Sequence, residues 1–149
     1  MIKNILLITC ITFFTFSLTA QSVSTQVSDN DSFEAGSTLT LNLTYTTDDG
    51  TDLIYAALQR KKSNGDWDDT QSSPSATIAE GNINPATAGT GVTATIDLAI
   101  PAGTVLSANL TDGKYYGLHV EVRDSGWNFQ NGSAGAYPKV TIVAAGSLS

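Results

Sequence analysis

The chain has 149 residues and a formal net charge of −7 at pH 7, with 14 acidic and 7 basic side chains, one histidine and one cysteine. Because an acidic chain repels phosphate backbones and anionic headgroups, this charge argues against binding to nucleic acid or to a membrane surface. One cysteine and one histidine cannot build a disulfide framework, an iron–sulfur cluster or a multi-histidine metal site.

The first 20 residues have the pattern of a secretory signal peptide. Lys3 supplies the positive charge, Ile5–Leu18 form the apolar segment, and small residues precede a cleavage site after Ala20. The apolar segment is short and interrupted by threonines and serines, whereas a membrane span needs about 20 apolar residues. We therefore expect a signal peptide over 1–20, one mature domain over 21–149, no membrane span after signal removal, and a secreted, periplasmic or cell-surface location.

Seven segments of the mature chain have the alternation or composition of β-strands, and none shows a sustained helical period. The clearest alternates leucines and a tyrosine with threonines and an asparagine, which is typical of a strand with one buried face. The predicted strands, in chain order, are Val23–Val27, Thr38–Thr46, Leu53–Lys61, Ala76–Ala79, Val92–Ile100, Tyr115–Arg123 and Tyr137–Val143.

Turn-forming residues separate these segments. The pair Asn64-Gly65 precedes Trp67 and predicts a tight hairpin, because both residues tolerate the positive φ of a type I′ turn. We expect the basic run Arg60–Lys62 to discourage edge-to-edge pairing of its strand. About seven short strands with turns at intervals of about 8–12 residues predict an all-β fold, an antiparallel two-sheet β-sandwich.

Two segments carry a family resemblance. Asp112 precedes Tyr116 by four residues, as the start of strand F does in immunoglobulin-like and fibronectin type III-like domains, and Phe33–Leu39 resembles the start of strand B. The resemblance implies an immunoglobulin-like sandwich of the secreted bacterial, non-disulfide type, in which the Tyr116 hydroxyl bonds to the backbone upstream. Leu118 stands where antibody-type domains have their second cysteine, so the chain departs from the disulfide-bonded pattern.

The residue types argue against catalysis. His119 falls in mid-strand on an outward face, and no nucleophile motif accompanies it. Glycoside hydrolysis would need two carboxyl groups, from residues such as Glu34, Glu80 or Glu121, to meet in one cleft. We predict no catalytic residue and no enzyme activity, and a small secreted hydrolase is the least favoured alternative.

Three acidic loop segments could offer oxygen ligands to calcium: Asp29–Asp31, Asp48–Asp52 and Asp66–Asp69. None has the spacing of an EF-hand loop or an RTX repeat, and the same residues are common turn formers. We predict no cofactor and no metal ligand, with a structural calcium ion as the alternative.

The outward positions of three predicted strands are rich in aromatic residues. Ala57 and Gly117 would floor a shallow groove with tyrosines as its walls, and the loop after Arg123 adds two rings, of which we expect one to be buried. Aromatic rings beside amides and charges suit sugar rings, although cross-strand tyrosine pairs also stabilise an exposed sheet. The predicted ligand-binding residues are Tyr55, Gln59, Tyr115, His119, Trp127, Phe129 and Tyr137.

With catalysis and metal binding disfavoured, we expect the protein to act by binding a ligand or a partner. The sequence favours an exported, non-catalytic binding or adhesion module for an extracellular polysaccharide or envelope component. The alternative is a structural or assembly subunit of an extracellular protein complex, which would use an exposed edge strand or the same tyrosine face.

Overall fold

The computed structural model describes residues 20–48, 50–68, 76–130 and 135–148, so the predicted signal peptide lies outside the described residues except for Ala20. These residues form eight β-strands and one turn of 3-10 helix at Ser107–Asn109, and they contain no helix long and apolar enough to cross a membrane. The strands are β1 Ser22–Thr25, β2 Ser32–Glu34, β3 Thr38–Thr47, β4 Leu53–Lys61, β5 Thr77–Ile83, β6 Gly89–Ala99, β7 Tyr115–Arg123 and β8 Lys139–Val143.

The strands form two sheets. The three-stranded sheet has the order β1-β3-β6, and the five-stranded sheet has the order β2-β8-β7-β4-β5. Every pairing is antiparallel except that of β2 with β8, which is parallel. The architecture is therefore the predicted all-β sandwich of two sheets, with one parallel pair, β2 with β8, where the sequence predicted antiparallel pairing throughout.

The core lies between the two sheets and follows the period of two along each strand. In β3, Leu39, Leu41, Leu43 and Tyr45 are buried while the intervening threonines and asparagine are exposed. The inward positions of β7 are also almost completely inaccessible, and their residues are Tyr116, Leu118, Val120 and Val122. Leu118 thus contributes to the apolar core.

The predicted corner tyrosine is confirmed. The Tyr116 hydroxyl donates a hydrogen bond of 2.7 Å to the backbone carbonyl of Val105, and its side chain has no exposed surface. This bond joins the connection between β6 and β7 to the core.

Two local predictions are wrong. Asn64 has a negative φ, and only Gly65 has a positive one (+91°), so the hairpin is not a type I′ turn. The amide of Gly65 bonds to the carbonyl of Lys62, and the amide of Lys62 bonds to the carbonyl of Asp66, which closes a three-residue loop with glycine in the left-handed region. The basic run does not protect a sheet edge, because β4 lies between β7 and β5.

The segment before β3 contacts both sheets. β1 pairs with β3 in the three-stranded sheet, and β2 pairs with β8 in the five-stranded sheet. The sequence predicted β1 as a strand but not β2, which has only three residues. The chain therefore crosses from one sheet to the other between Thr25 and Ser32.

Candidate functional site

The candidate site lies on the outer face, by which we mean the surface of the five-stranded sheet that points away from the core. β4 and β7 are paired along their whole length, so their outward residues stand directly opposite one another. The five outward pairs are Leu53 with Arg123, Tyr55 with Glu121, Ala57 with His119, Gln59 with Gly117, and Lys61 with Tyr115. The register thus brings the residues predicted from β4 and β7 onto one surface.

A groove of about 280 Å³ opens at one end of this face. We call it the tyrosine groove; its lining residues are Lys61, Gly65, Tyr115, Gly117, Leu118, His119 and Tyr137. Gly117 leaves room at its floor, since a Cβ added there would lie 3.6 Å from the nearest atom, Cγ of Lys61. The glycine therefore keeps the groove open between side chains of β4, β7 and the segment before β8.

A series of ring contacts extends from the groove along the face. The centroid of Tyr137 lies 4.8 Å from that of His119, and Tyr55 lies 6.4 Å from His119 and 6.0 Å from Trp127. Edge and tilted contacts of this kind are the favoured geometries of aromatic pairs. Four of the predicted residues, from β4, β7, the loop after β7 and the segment before β8, therefore belong to one connected set.

The loop after β7 exposes both of its aromatic rings, where we expected one of them to be buried. Both Trp127 and Phe129 are well exposed, at 44% and 46%, so the prediction that one of them is buried is wrong. The loop is closed on itself instead: the Asp124 carboxylate accepts hydrogen bonds from the amides of Gly126 and Asn128, which lowers the pKa of Asp124. These bonds hold the loop with its rings at the surface.

Glu121 joins the charged groups of the outer face. It is 4% exposed and contacts Nε2 of His119 at 2.6 Å, and it also forms an ion pair with Nε of Arg123. Burial lowers the pKa of His119 from its ordinary value, although Glu121 opposes that shift. His119 is therefore favoured in its neutral form, held in orientation beside Tyr137.

Tyr55 is buried beneath the outer face and packs against Trp127 and Arg123. Its ring is 6% exposed, its hydroxyl donates to Glu80 across 2.8 Å, and the Arg123 guanidinium lies 4.3 Å from its ring centroid. Burial, together with the hydrogen bond to Glu80, raises the pKa of Tyr55 to about 12. Tyr55 thus positions Trp127 and Arg123, and little of its own surface is available to a ligand.

Gln59 does not reach the surface. It lies on the predicted face, but its side chain has no exposed area, and neither its Nε2 nor its Oε1 has a hydrogen-bond partner. Ala57 is equally buried. Period-two alternation identified the correct face for both residues but gave no information on their depth, so we leave Gln59 out of the contact surface.

Two lysines beside the groove were on the predicted face but were not predicted as site residues. Nζ of Lys61 lies 5.0 Å from the Trp67 ring centroid, and Nζ of Lys139 lies 4.5 Å from that of Tyr115. Burial lowers the pKa of Lys61 from its ordinary value, against the opposing charges of Asp66 and Glu121. The sequence contained a signal for these lysines. Each is separated from a tyrosine of the same segment by an even number of residues, Lys61 from Tyr55 and Lys139 from Tyr137, so each lies on the same face as that tyrosine.

The acidic loops have structural contacts. Asp29 accepts a bond from the Lys139 amide and Asp31 accepts one from the Ser28 amide, while Asp52 accepts bonds from Gln21 and Gln130. No group of three or more histidine, cysteine, aspartate or glutamate residues is placed to hold a metal ion among the described residues. Two residues of the proposed calcium segments, at positions 49 and 69, lie outside the described part of the chain.

A larger depression, of about 610 Å³, lies on the three-stranded sheet. Its lining residues are Ser24, Thr25, Gln26, Asn42, Leu43, Thr44, Thr93, Ala94 and Thr95. This lining has neither an aromatic ring nor a charge, so it offers fewer means of fixing a ligand than the tyrosine groove does.

Comparisons with known proteins leave the family undefined. No protein-family model matches the chain, and no curated protein matches it. Among solved structures, the chain is similar to the ligand binding region of serine-glutamate repeat protein A of Enterococcus faecium, with a TM-score of 0.40 and 14% identity over 83% of this chain and 96% of that one. It is also similar to a chain of the CaDoc0917–CaCohA2 complex, with a TM-score of 0.34 and 14% identity over 83% of this chain and 98% of that one.

Proposed function

We propose that this protein is an exported, non-catalytic binding or adhesion module that recognises an extracellular polysaccharide or envelope component through the outer face. The observation that carries the proposal is the tyrosine groove, in which Tyr115, Tyr137 and His119 surround a floor opened by Gly117. Tyr115 and His119 belong to β7, and Tyr137 follows Ala136, which forms a bridge with Val120 of β7, so backbone pairing holds all three walls.

The chemistry of these walls suits a sugar. Pyranose rings present C–H faces that pack on aromatic rings, and their hydroxyls bond to the polar ends of tyrosine, histidine and lysine side chains. Tyr137 is 51% exposed, and Trp127 and Phe129 are nearly as exposed at the other end of the face. Along β7 the face is about 27 Å long, at about 3.3 Å per residue, so a polymer could contact both ends.

Export is part of the proposal. The charged, apolar and small-residue regions of 1–20 support cleavage after Ala20, which would leave 21–149 as a secreted, periplasmic or cell-surface domain of the bacterial, non-disulfide type. Mass spectrometry of the protein recovered from the medium or periplasm of an expressing bacterium tests this. A mature chain that begins at Gln21 is expected, and retention of Met1 in the exported protein would contradict it.

The binding test is a titration of the mature protein against a panel of soluble bacterial, plant and algal polysaccharides by affinity electrophoresis and calorimetry. Tyr137→Ala should weaken binding about fivefold or more, because tyrosines are enriched among the contact residues whose truncation costs above about 1 kcal/mol. Val105→Ala is the matched control, since Val105 is 46% exposed but lies outside the groove. Binding that survives both Tyr137→Ala and Trp127→Ala unchanged would reject the outer face as the site.

A second candidate function, that of an assembly subunit, is favoured by β6. This strand has 11 residues and, within the described part of the chain, pairs with β3 alone, so its other edge offers unpaired backbone groups. Such an edge can accept a strand from another protein. Light scattering over a wide concentration range tests self-association, which Thr95→Lys on β6 should weaken, whereas a monomer at every concentration would exclude it.

A further inference from the structure

We infer that the tyrosine groove takes an anionic polysaccharide, whose carboxylate or sulfate groups are held by Lys61 and Lys139; this inference rests on the proposed function. The occupant is identified by charge complementarity between the groove and the polymer.

The positive charges of an acidic protein are concentrated on one sheet. All six lysines and arginines of residues 21–149 lie on β4, β7 or β8, or next to the end of one of these strands: Arg60, Lys61, Lys62, Lys114, Arg123 and Lys139. The strands of the three-stranded sheet contain no lysine or arginine. The groove therefore lies on the only one of the two sheets whose strands carry basic residues.

Half of these cations form ion pairs within the protein. Arg60 and Lys114 both form ion pairs with Asp68, at 2.6 and 3.3 Å, and Arg123 is paired with Glu121. Lys61, Lys62 and Lys139 form no ion pair within the described residues. Lys62 does not line the groove, which leaves Lys61, in its lining, and Lys139, over its wall residue Tyr115. The carboxylates near Lys61 are partly engaged, since Glu121 contacts His119 and Arg123 and Asp66 accepts a hydrogen bond from Asn64.

The two remaining lysines are held against aromatic rings at the groove. The stem of Lys61 crosses the floor, with Cγ and Cε 3.6 and 4.0 Å from the position of an added Gly117 Cβ. Lys61 stands opposite Tyr115 in register. The Lys61 ammonium lies over the Trp67 ring on one side, and the Lys139 ammonium lies over Tyr115, a wall of the groove. An acidic substituent of a sugar bound in the groove would meet these two charges.

Contacts between lysine ammonium groups and rings leave the charge free to act while limiting the motion of the side chain. A cation that is already ordered loses less conformational entropy when an anion binds. Because the groove is open to solvent, the attraction is screened by salt, over a Debye length of about 8 Å at physiological ionic strength. We expect a modest contribution from each lysine, about fivefold in affinity, which is the upper range for an exposed ion pair.

The experiment uses polysaccharide pairs that differ in charge alone: polygalacturonate with its methyl-esterified form, and dextran sulfate with dextran. Calorimetry of the mature protein should show tighter binding to the acidic member of at least one pair, with an affinity that falls as sodium chloride increases. Lys61→Gln and Lys139→Gln should each weaken that binding about fivefold and leave binding to the neutral member unchanged. Lys62→Gln is the matched control, because it removes the same charge one residue outside the groove.

The outcomes separate this inference from the proposed function. Equal affinity for the acidic and neutral members, unaffected by Lys61→Gln and Lys139→Gln but lost in Tyr137→Ala, would overturn the role of charge and leave the proposed function standing. Equal losses in Lys61→Gln, Lys139→Gln and Lys62→Gln would show nonspecific ion exchange and overturn the inference. Failure of the unaltered protein to bind any polysaccharide, here and in the broader panel, would overturn both.

Discussion

The hydroxyl of Tyr116 donates a hydrogen bond to the backbone carbonyl of Val105, 2.7 Å away, although eleven residues separate the two along the chain. Tyr116→Phe removes this bond where water cannot replace the donor, since the side chain is fully buried. We expect a loss of about 1 kcal/mol in the free energy of unfolding. Urea denaturation measures the loss, and Tyr137→Phe, at a half-exposed ring, is the control that should change little.

Two glycines of the five-stranded sheet, Gly81 on β5 and Gly117 on β7, give a matched pair. An added Cβ at Gly81 would lie 2.6 Å from Cγ2 of Ile96, whereas one at Gly117 would meet nothing closer than 3.6 Å. Gly81→Ala should therefore lower the free energy of unfolding by about 1–3 kcal/mol through overpacking. Gly117→Ala should be neutral or raise it by up to about 1 kcal/mol, because alanine restricts the unfolded chain. Similar denaturation midpoints for the two variants would contradict this view of the packing.

The ion pairs of Asp68 should matter for stability because its side chain is 1% exposed and contacts both Arg60 and Lys114. Burial raises the pKa of Asp68, but the two cations lower it more, so the net pKa is below its ordinary value of 3.8. A depressed carboxyl pKa gives stability that is present above 3.8 and is lost as the pH falls through the folded-state value.

Asp68→Asn should therefore cost about 2 kcal/mol at neutral pH. The difference from the unaltered protein should shrink at a pH below the folded-state pKa of Asp68, where both side chains are neutral. Urea denaturation at the two pH values measures it. If Asp68→Asn and the unaltered protein differ in the free energy of unfolding by the same amount at neutral and at acidic pH, the ion pairs contribute nothing to stability.

Protonation of His119 should lower the stability of the folded protein as the pH falls. Burial lowers its pKa below the ordinary value of 6.5, with Lys61 and Arg123 acting in the same direction and Glu121 against it. Because the unfolded chain binds this proton more readily, stability is present above 6.5 and falls as the pH drops towards the folded-state value. The chain has one histidine, so a proton NMR titration from about pH 7 to about pH 5 reports His119 directly.

His119→Gln should remove the pH dependence of the melting temperature that arises in that window and leave the part due to carboxylates. A His119 pKa at or above its ordinary value in the folded protein would refute the proposed effect of burial.

Gln59 should be replaceable with a gain in stability. Both polar atoms of its side chain are buried without partners, and an unsatisfied buried polar group costs about 1–3 kcal/mol. Gln59→Met keeps the length of the side chain and removes the amide, so the free energy of unfolding should rise by about 1 kcal/mol. Thermal and urea denaturation should both show that Gln59→Met is more stable than the unaltered protein. A less stable variant would indicate that the amide has a structural role.

Much of the fold could be predicted because burial on one side of a strand is present in the sequence as a period of two. The predicted segments Leu53–Lys61 and Tyr115–Arg123 have the same bounds as β4 and β7, and Thr38–Thr46 differs from β3 by one residue. β2 was missed because three residues in a parallel pair have no alternation to detect. The position of β4 inside its sheet was missed because strand order depends on distant pairings.

The site was predicted in part for a related reason. Alternation placed Tyr55, His119 and the tyrosines of the groove on one face, but it gave no information on depth, so Gln59 was included although it is fully buried. The contact between His119 and Tyr137 depends on the pairing of β7 with the segment before β8, which the sequence does not state. The exposure of both Trp127 and Phe129 depends on the bonds of Asp124 that close their loop.

The parallel pairing of β2 with β8 has a mechanical consequence. The two strands lie side by side and run in the same direction, and backbone bonds of 2.8 and 2.9 Å join Thr141 to Asp31 and Ala35 to Val143 at the two ends of the pair. Tension between the chain before β2 and the chain after β8 pulls the two strands in opposite directions along their axes. The force is then a shear that loads all of the inter-strand bonds at once, rather than peeling them apart one after another.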